Sequence, residues 1–108
     1  MKMIQAIIRP EKLKEVEDAL MQAGFPGLTT TPVLGRGRQK GINVGSVHYD
    51  KLPKHMIWVV VPENRENEAV RIIQEKGSTG AIGDGKIFIL DVDRVMRIRT
   101  KEQGEEVL

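Results

Sequence analysis

Met3-Ile4-Gln5-Ala6-Ile7-Ile8 leading into Arg9-Pro10-Glu11, and Met56-Ile57-Trp58-Val59-Val60-Val61 leading into Pro62-Glu63, are two stretches of one construction. Each is a run of β-favouring apolar residues that stops at a proline and a glutamate. Each gives way to a helical stretch that ends in a glycine, Gly24 in the first and Gly77 in the second. The two strand starts and the two glycines share the same offset, so the chain reads as two strand-helix units. In the first helix Leu13, Val16, Leu20 and Ala23 recur every three or four residues and form one apolar stripe. Pro10 suits a first helical turn, where its missing N–H costs nothing, and Gly24 suits the left-handed position just past a helix end. In the second helix Asn64 is the candidate N-cap, Ala69, Val70 and Ile73 supply the buried face, and Gly77 closes it.

Another extended segment follows each helix: Leu28 to Leu34, rich in threonine, and Ile87 to Leu90. The order β-α-β, β-α-β is the split βαβ arrangement, so the expected class is α+β with a ferredoxin-like sandwich. One more extended piece is expected over Val95 to Arg99, and the acidic tail, residues 102–108, is expected to fray. Gly35 to Pro53 carries Gly35, Gly37, Gly41 and Gly45 and no clear periodicity. A connection this long without structure of its own is uncommon in a compact domain and is usually a binding loop or a mobile segment.

The 108 residues make a single domain, and 40% of them are hydrophobic, enough for a compact core. A domain of this size buries a modest share of its surface, so self-association is a natural supplement. The net charge of +2 is too small to argue for nucleic acid. The chain has no cysteine, which removes disulfides, zinc-thiolate sites and thiol chemistry and fits a reducing compartment. The apolar start meets Arg9 too soon for a signal peptide or a membrane span, so the expected location is the cytoplasm.

The residues with chemical promise cluster in three places. Gly80 to Lys86, within Thr79-Gly80-Ala81-Ile82-Gly83-Asp84-Gly85-Lys86, matches G-x-x-x-x-G-K, but Ile87 stands where a P-loop needs Ser or Thr. The context is also reversed, because this loop follows a helix and opens a strand. The P-loop reading fails, yet glycine amides can still form an anion nest beside the charge of Lys86. Arg97-Ile98-Arg99 in a strand would put two guanidiniums on one face, and their forks match phosphate oxygens. Gly35-Arg36-Gly37-Arg38-Gln39-Lys40-Gly41 is basic and glycine-rich, suited to phosphates, an RNA backbone or an acidic partner. Each cluster alone also fits a plain turn or a solvated face; together they favour a polyphosphate ligand. His48 and His55 have no metal constellation, Trp58 reads as packing, and Asp84 among glycines reads as a turn cap.

At these motifs the sequence resembles the PII nitrogen-regulatory signalling family. The resemblance runs from Met1 to about Glu102 and is carried by residues 3–10, 35–41, 79–88 and 97–100. It implies a trimer with nucleotide sites in the clefts between subunits. The long loop, residues 35–53, corresponds to the family's effector-contacting T-loop, the glycine run to its B-loop and the last arginines to its C-loop. Carried over by position, Gly83, Asp84, Gly85 and Lys86 would hold the phosphates of ATP or ADP from one subunit, and Arg97 and Arg99 would reach them from a neighbour. Thr29 and Val60 would border the base or ribose, and Gly37 and Arg38 would lie along the nucleotide. Gln39 matches the residue that contacts Mg²⁺ and 2-oxoglutarate, and Lys54 the lysine that pairs with a 2-oxoglutarate carboxylate.

The loop is a few residues shorter than in enteric members and lacks their tip tyrosine for uridylylation; Tyr49 stands near its returning end. The short form is similar to the nitrogenase-linked subclass, whose members work with a PII-like paralogue to inhibit dinitrogenase. The expected function is therefore a non-enzymatic sensor that binds ATP or ADP, Mg²⁺ and 2-oxoglutarate. It would be a homotrimer or an assembly with a paralogue, acting on dinitrogenase, an ammonium transporter or another nitrogen enzyme. A slow ATPase is the less favoured alternative, because no base, nucleophile or metal-ligand set is evident. An RNA-binding module of the same topology is opposed by the scarcity of aromatic residues. Neither nucleic acid nor membrane insertion is expected.

Overall fold

The computed structural model describes residues 1–38 and 41–108. A four-stranded antiparallel sheet carries the chain, built from β1 (Lys2–Ile8), β2 (Thr29–Gly35), β5 (Leu52–Val61) and β6 (Lys86–Asp91). Two helices, α1 (Leu13–Gln22) and α2 (Glu66–Gly77), connect them, and a two-stranded hairpin, β3 (Ile42–Val44) and β4 (Val47–Tyr49), rises from the long loop. The sheet order is β2-β5-β1-β6. Each βαβ unit thus straddles a strand of the other, and the two homologous apolar runs, β1 and β5, become the sheet centre. This is the ferredoxin-like sandwich that the repeat predicts.

Strand periodicity decides which side is buried. Ile4, Ala6 and Ile8 of β1 and Ile57, Val59 and Val61 of β5 point to the helices, and all six are buried. Register aligns them across the sheet, Ile4 with Val59 and Ala6 with Ile57. Val16 and Leu20 of α1 and Ala69 and Ile73 of α2 close the core from above. The alternate residues, Met3, Gln5 and Ile7 with Met56, Trp58 and Val60, form the other face, which neither helix covers.

The two helix ends use glycine for different reasons. Gly24 has φ +90° and sits in a Schellman closure, with Phe25 N–H donating to Leu20 O at 2.9 Å and Gly24 N–H to Met21 O at 3.1 Å. Leu20 and Phe25 are both core residues, so the closure also packs. Gly77 instead ends α2 in a buried position where a Cβ would meet Ile8 at 3.6 Å and Val16 at 3.8 Å. Arg65 joins the two units. It donates to Ala23 O at 2.6 Å, pairs with Glu68 at 2.9 Å, and lies 4.1 Å over the Phe25 ring.

Several expectations change. Both helices begin with a 3-10 turn, Pro10–Lys12 and Glu63–Arg65. Asn64 therefore lies inside a turn closed by Arg65 N–H to Pro62 O at 3.0 Å, and it is not an N-cap. The long loop is structured further than its glycines suggest, with the β2–β5 ladder running out to Gly35 and Leu52. Its hairpin pairs Ile42 with Tyr49 and Val44 with Val47 around Gly45, whose φ of +60° fits a two-residue turn. The extended piece over Val95 to Arg99 is not a strand. The chain reverses through residues 98–100: Arg97 N–H donates to Glu102 O and Lys101 N–H to Arg97 O, both at 2.8 Å. Only the isolated bridge between Met96 and Gln103 remains of a ladder. The acidic tail, residues 102–108, includes a 3-10 turn over Glu105–Val107.

Candidate functional site

The glycine run joins α2 to β6 and is organised around one carboxylate. Asp84 accepts hydrogen bonds from Thr79 N–H at 2.8 Å, Gly80 N–H at 2.9 Å, the Thr79 hydroxyl at 2.5 Å and Arg9 Nε at 2.8 Å. Arg9 also donates Nη2 to Ile82 O at 2.9 Å, pinning the loop to the end of β1. The Arg9 guanidinium, then the Thr79 hydroxyl and amides, hold the Asp84 carboxyl well below the usual carboxylate range. The first half of the run is thus a nest filled by the chain's own anion. In its second half Gly83, Gly85 and Lys86 line a cleft.

That second half faces the base of the long loop across a cleft of about 370 Å³. Arg36, Gly37 and Arg38 form one wall, and Gly83, Gly85 and Lys86 form the other. The volume lies within the range of small-molecule sites, and the polar groups lining it are mostly cationic. Gly85 cannot be replaced without moving the loop: its φ is +98° and a Cβ would stand 1.7 Å from Ile7 O. Lys54 reaches the cleft from β5 and donates to Gly83 O at 2.6 Å. It is the one buried charged side chain among the described residues, and burial first, then the charge of Arg9, lowers its pKa. A buried ammonium held by one carbonyl is suited to accept a carboxylate.

Of the residues singled out from sequence, the fold brings Gly37, Arg38, Lys54, Gly83, Gly85 and Lys86 to one cleft. Asp84 lies beside it with its carboxylate committed inward. Thr29 and Val60, paired with Trp58 and Met3, belong to the uncovered sheet face and do not line the cleft. Arg97 and Arg99 also lie outside it, and Arg97 pairs with Glu102 at 3.0 Å. Gln39 falls outside the described residues. Arg36, part of the basic run singled out from sequence, also lines the cleft, whereas Arg9, which fixes the glycine loop, was legible only as a boundary directly before Pro10 at a strand end. Among the described residues no group of His, Asp or Glu could hold a metal ion, and His48 Nδ1 is engaged with Asn43 Oδ1 at 2.7 Å.

Fold and cleft define a small ferredoxin-like domain whose glycine loop borders a cleft lined by Arg36, Arg38, Lys54 and Lys86. The family profile of nitrogen regulatory protein P-II matches residues 1–102. A "nitrogen fixation nifHD region GlnB-like protein 1" of Methanothermobacter marburgensis is 54% identical over 104 residues, 96% of this chain and 99% of that protein. Its namesake in Methanobacterium ivanovii is 48% identical with the same coverage. The "nitrogen regulatory protein P-II 2" of Methanothermobacter thermautotrophicus is 50% identical over 112 positions, spanning 100% of this chain and 97% of that protein. The chain belongs to the nitrogen regulatory P-II family, and within it to the nitrogen-fixation-linked group. No helix among the described residues is long and apolar enough to cross a membrane.

Proposed function

We propose that this chain is a regulator of nitrogen metabolism that binds ATP or ADP in the cleft between Gly83–Lys86 and Arg36–Arg38, and 2-oxoglutarate at Lys54. The observation that carries this reading is the convergence of Arg36, Arg38, Lys54 and Lys86 on one cleft beside a glycine loop whose own carboxylate is turned away. Charge-assisted hydrogen bonds from such groups suit phosphate oxygens. Mg²⁺, bound with the phosphates, would bridge them to the 2-oxo acid, with Gln39 in contact. Such an ion needs few protein carboxylates. Arg97 and Arg99 would come from a neighbouring subunit, which requires an oligomer. A trimer, or an assembly with a paralogue, uses the uncovered sheet face.

The target would be met by the long loop. The relatives named for the nifHD region of nitrogen fixation favour dinitrogenase over an ammonium transporter. Regulation is preferred to ATP hydrolysis because Asp84, the carboxylate of the glycine loop, is saturated with donors and is not free to act as a base.

Calorimetry tests the reading. Mg-ATP should bind, and 2-oxoglutarate should give heat only in its presence; no heat with Mg-ATP sinks the proposal. Lys86→Ala should weaken Mg-ATP by roughly tenfold, the loss of one charge-assisted contact. Unchanged affinity would remove the phosphates from this end of the cleft.

A further inference from the structure

We propose that the cavity behind the glycine loop, between the end of α2 and the start of β6, binds an aliphatic α-amino acid. This site is separate from the nucleotide cleft and does not depend on it.

The cavity holds about 360 Å³, within the range of small-molecule sites. Gly85 and Lys86 line both it and the cleft, so the end of the glycine loop is a partition between the two. Its floor is apolar: Ile8 and Ile73 are core residues, and Ile87 packs against that core. Such a floor suits a hydrocarbon body. Among the described residues, Asp84 and Lys86 are the charged ones on the walls. Asp84 already accepts from Arg9 and Thr79 at 2.8 Å and from Gly80 at 2.9 Å. Lys86 is therefore the charge a ligand meets, and it calls for an anionic group. A second wall is the last turn of α2, where Gln74 and Ser78 stand four residues apart. Ser78 leaves the helix extended, at ψ 139°, and does not turn back as the end of α1 does. The last carbonyls of α2 thus lack intrahelical partners. Gly77 has no side chain, so its share of the wall is backbone. Carbonyls at a helix C-terminus carry partial negative charge and favour a cationic donor. A plain anion would be repelled by that wall, and a plain cation by Lys86. A zwitterion satisfies both. Its ammonium meets the end of α2 beside the Gln74 amide, its carboxylate meets Lys86, and its side chain lies on Ile8, Ile73 and Ile87.

A ¹H–¹⁵N NMR titration of the full chain with leucine tests this. Leucine should shift the amides of residues 74–78 and 84–87 and leave the hairpin, residues 42–49, unmoved. No shift at about 10 mM leucine, enough to fill most of a millimolar site, overturns the proposal, and so do shifts that spare both segments. Two analogues test the charges. 4-Methyl-2-oxopentanoate lacks the ammonium and 3-methylbutylamine lacks the carboxylate; each should bind roughly tenfold weaker, the loss of one charge-assisted contact. Affinity equal to that of leucine for either analogue would leave one charged wall unused and overturn the assignment. Glycine, without the hydrocarbon body, should also bind about tenfold weaker, and equal affinity would remove the apolar floor from binding. Two variants test the place. Lys86→Met should weaken leucine roughly tenfold. Gln74→Trp, at an exposed helical position, should fill the cavity and abolish the shifts, with the circular dichroism of the fold retained. Variants that bind leucine as wild type does would put the amino acid elsewhere.

Discussion

Asp84 is the residue on which the glycine loop turns, and its chemistry sets how the loop responds to acid. Its carboxylate is held by Arg9, Thr79 and Gly80, so its pKa in the folded chain lies below the value near 3.9 of an unfolded aspartate. A depressed pKa stabilises the fold above the unfolded value, and that contribution fades as pH falls through the range between the two. Asp84→Asn removes the titration together with the charge-assisted bonds. The variant should therefore unfold at lower urea than wild type at pH 7, and the gap between their midpoints should narrow below about pH 4, where Asp84 takes up a proton in the unfolded chain while the folded chain still holds it ionised. A gap that stays constant from pH 7 to pH 3 would mean that Asp84 is not the acid-sensitive group. The same residue marks the limit of what one sequence discloses. Asp84 among glycines reads as a turn cap, which it is, but its main partner is Arg9, 75 positions away. Nothing in local spacing could name that partner.

At the level of elements, the repeat was legible because each unit repeats the same physical solution: an apolar strand, a proline-led turn, an apolar helical stripe and a glycine. Legibility failed where the pattern has no period. Arg97-Ile98-Arg99 alternates like a strand, but the backbone there closes on Glu102 and Lys101, so alternation without a partner strand gives a turn. The hairpin over Ile42 to Tyr49 was hidden because its strands are three residues each, too short for a periodicity to register. The Schellman closure of α1 offers a test at this scale. Gly24→Ala forces a side chain onto φ +90°, while the nearest atom to the new Cβ is 3.5 Å away, so the cost is conformational and not steric. We expect a loss of about 1–2 kcal/mol in urea denaturation. Gly27→Ala is the control: its φ is not positive and a Cβ there meets nothing within 4 Å, so stability should change by less than about 0.5 kcal/mol or rise slightly. Equal losses at the two positions would refute the left-handed cap as the cause.

For the whole molecule, the uncovered sheet face carries the largest consequence. One side of the sheet is sealed by two helices; the other presents Met3, Ile7, Met56, Trp58 and Val60, with Phe88 and Leu90 of β6 exposed at 46% and 43%. Contiguous apolar surface on a small domain is the kind of surface that interfaces use. The cleft argues the same way from its composition. Its cations come from one chain's glycine loop, loop base and β5, while Arg97 and Arg99 do not line it; under the proposed function they would reach a polyphosphate from another copy. Assembly and nucleotide binding should therefore fail together. Trp58→Glu puts a charge at the centre of the uncovered face, opposite Gln5 and Thr29, where a partially exposed side chain can reach water in the single chain but not in an interface. Sedimentation should find wild type as three copies and the variant as one, with the circular dichroism of the fold retained. Mg-ATP affinity in the variant should drop by about a hundredfold, the loss of two charge-assisted arginine contacts. A single-copy variant that binds Mg-ATP as tightly as wild type would mean that one chain's cleft suffices and that Arg97 and Arg99 have no part in it.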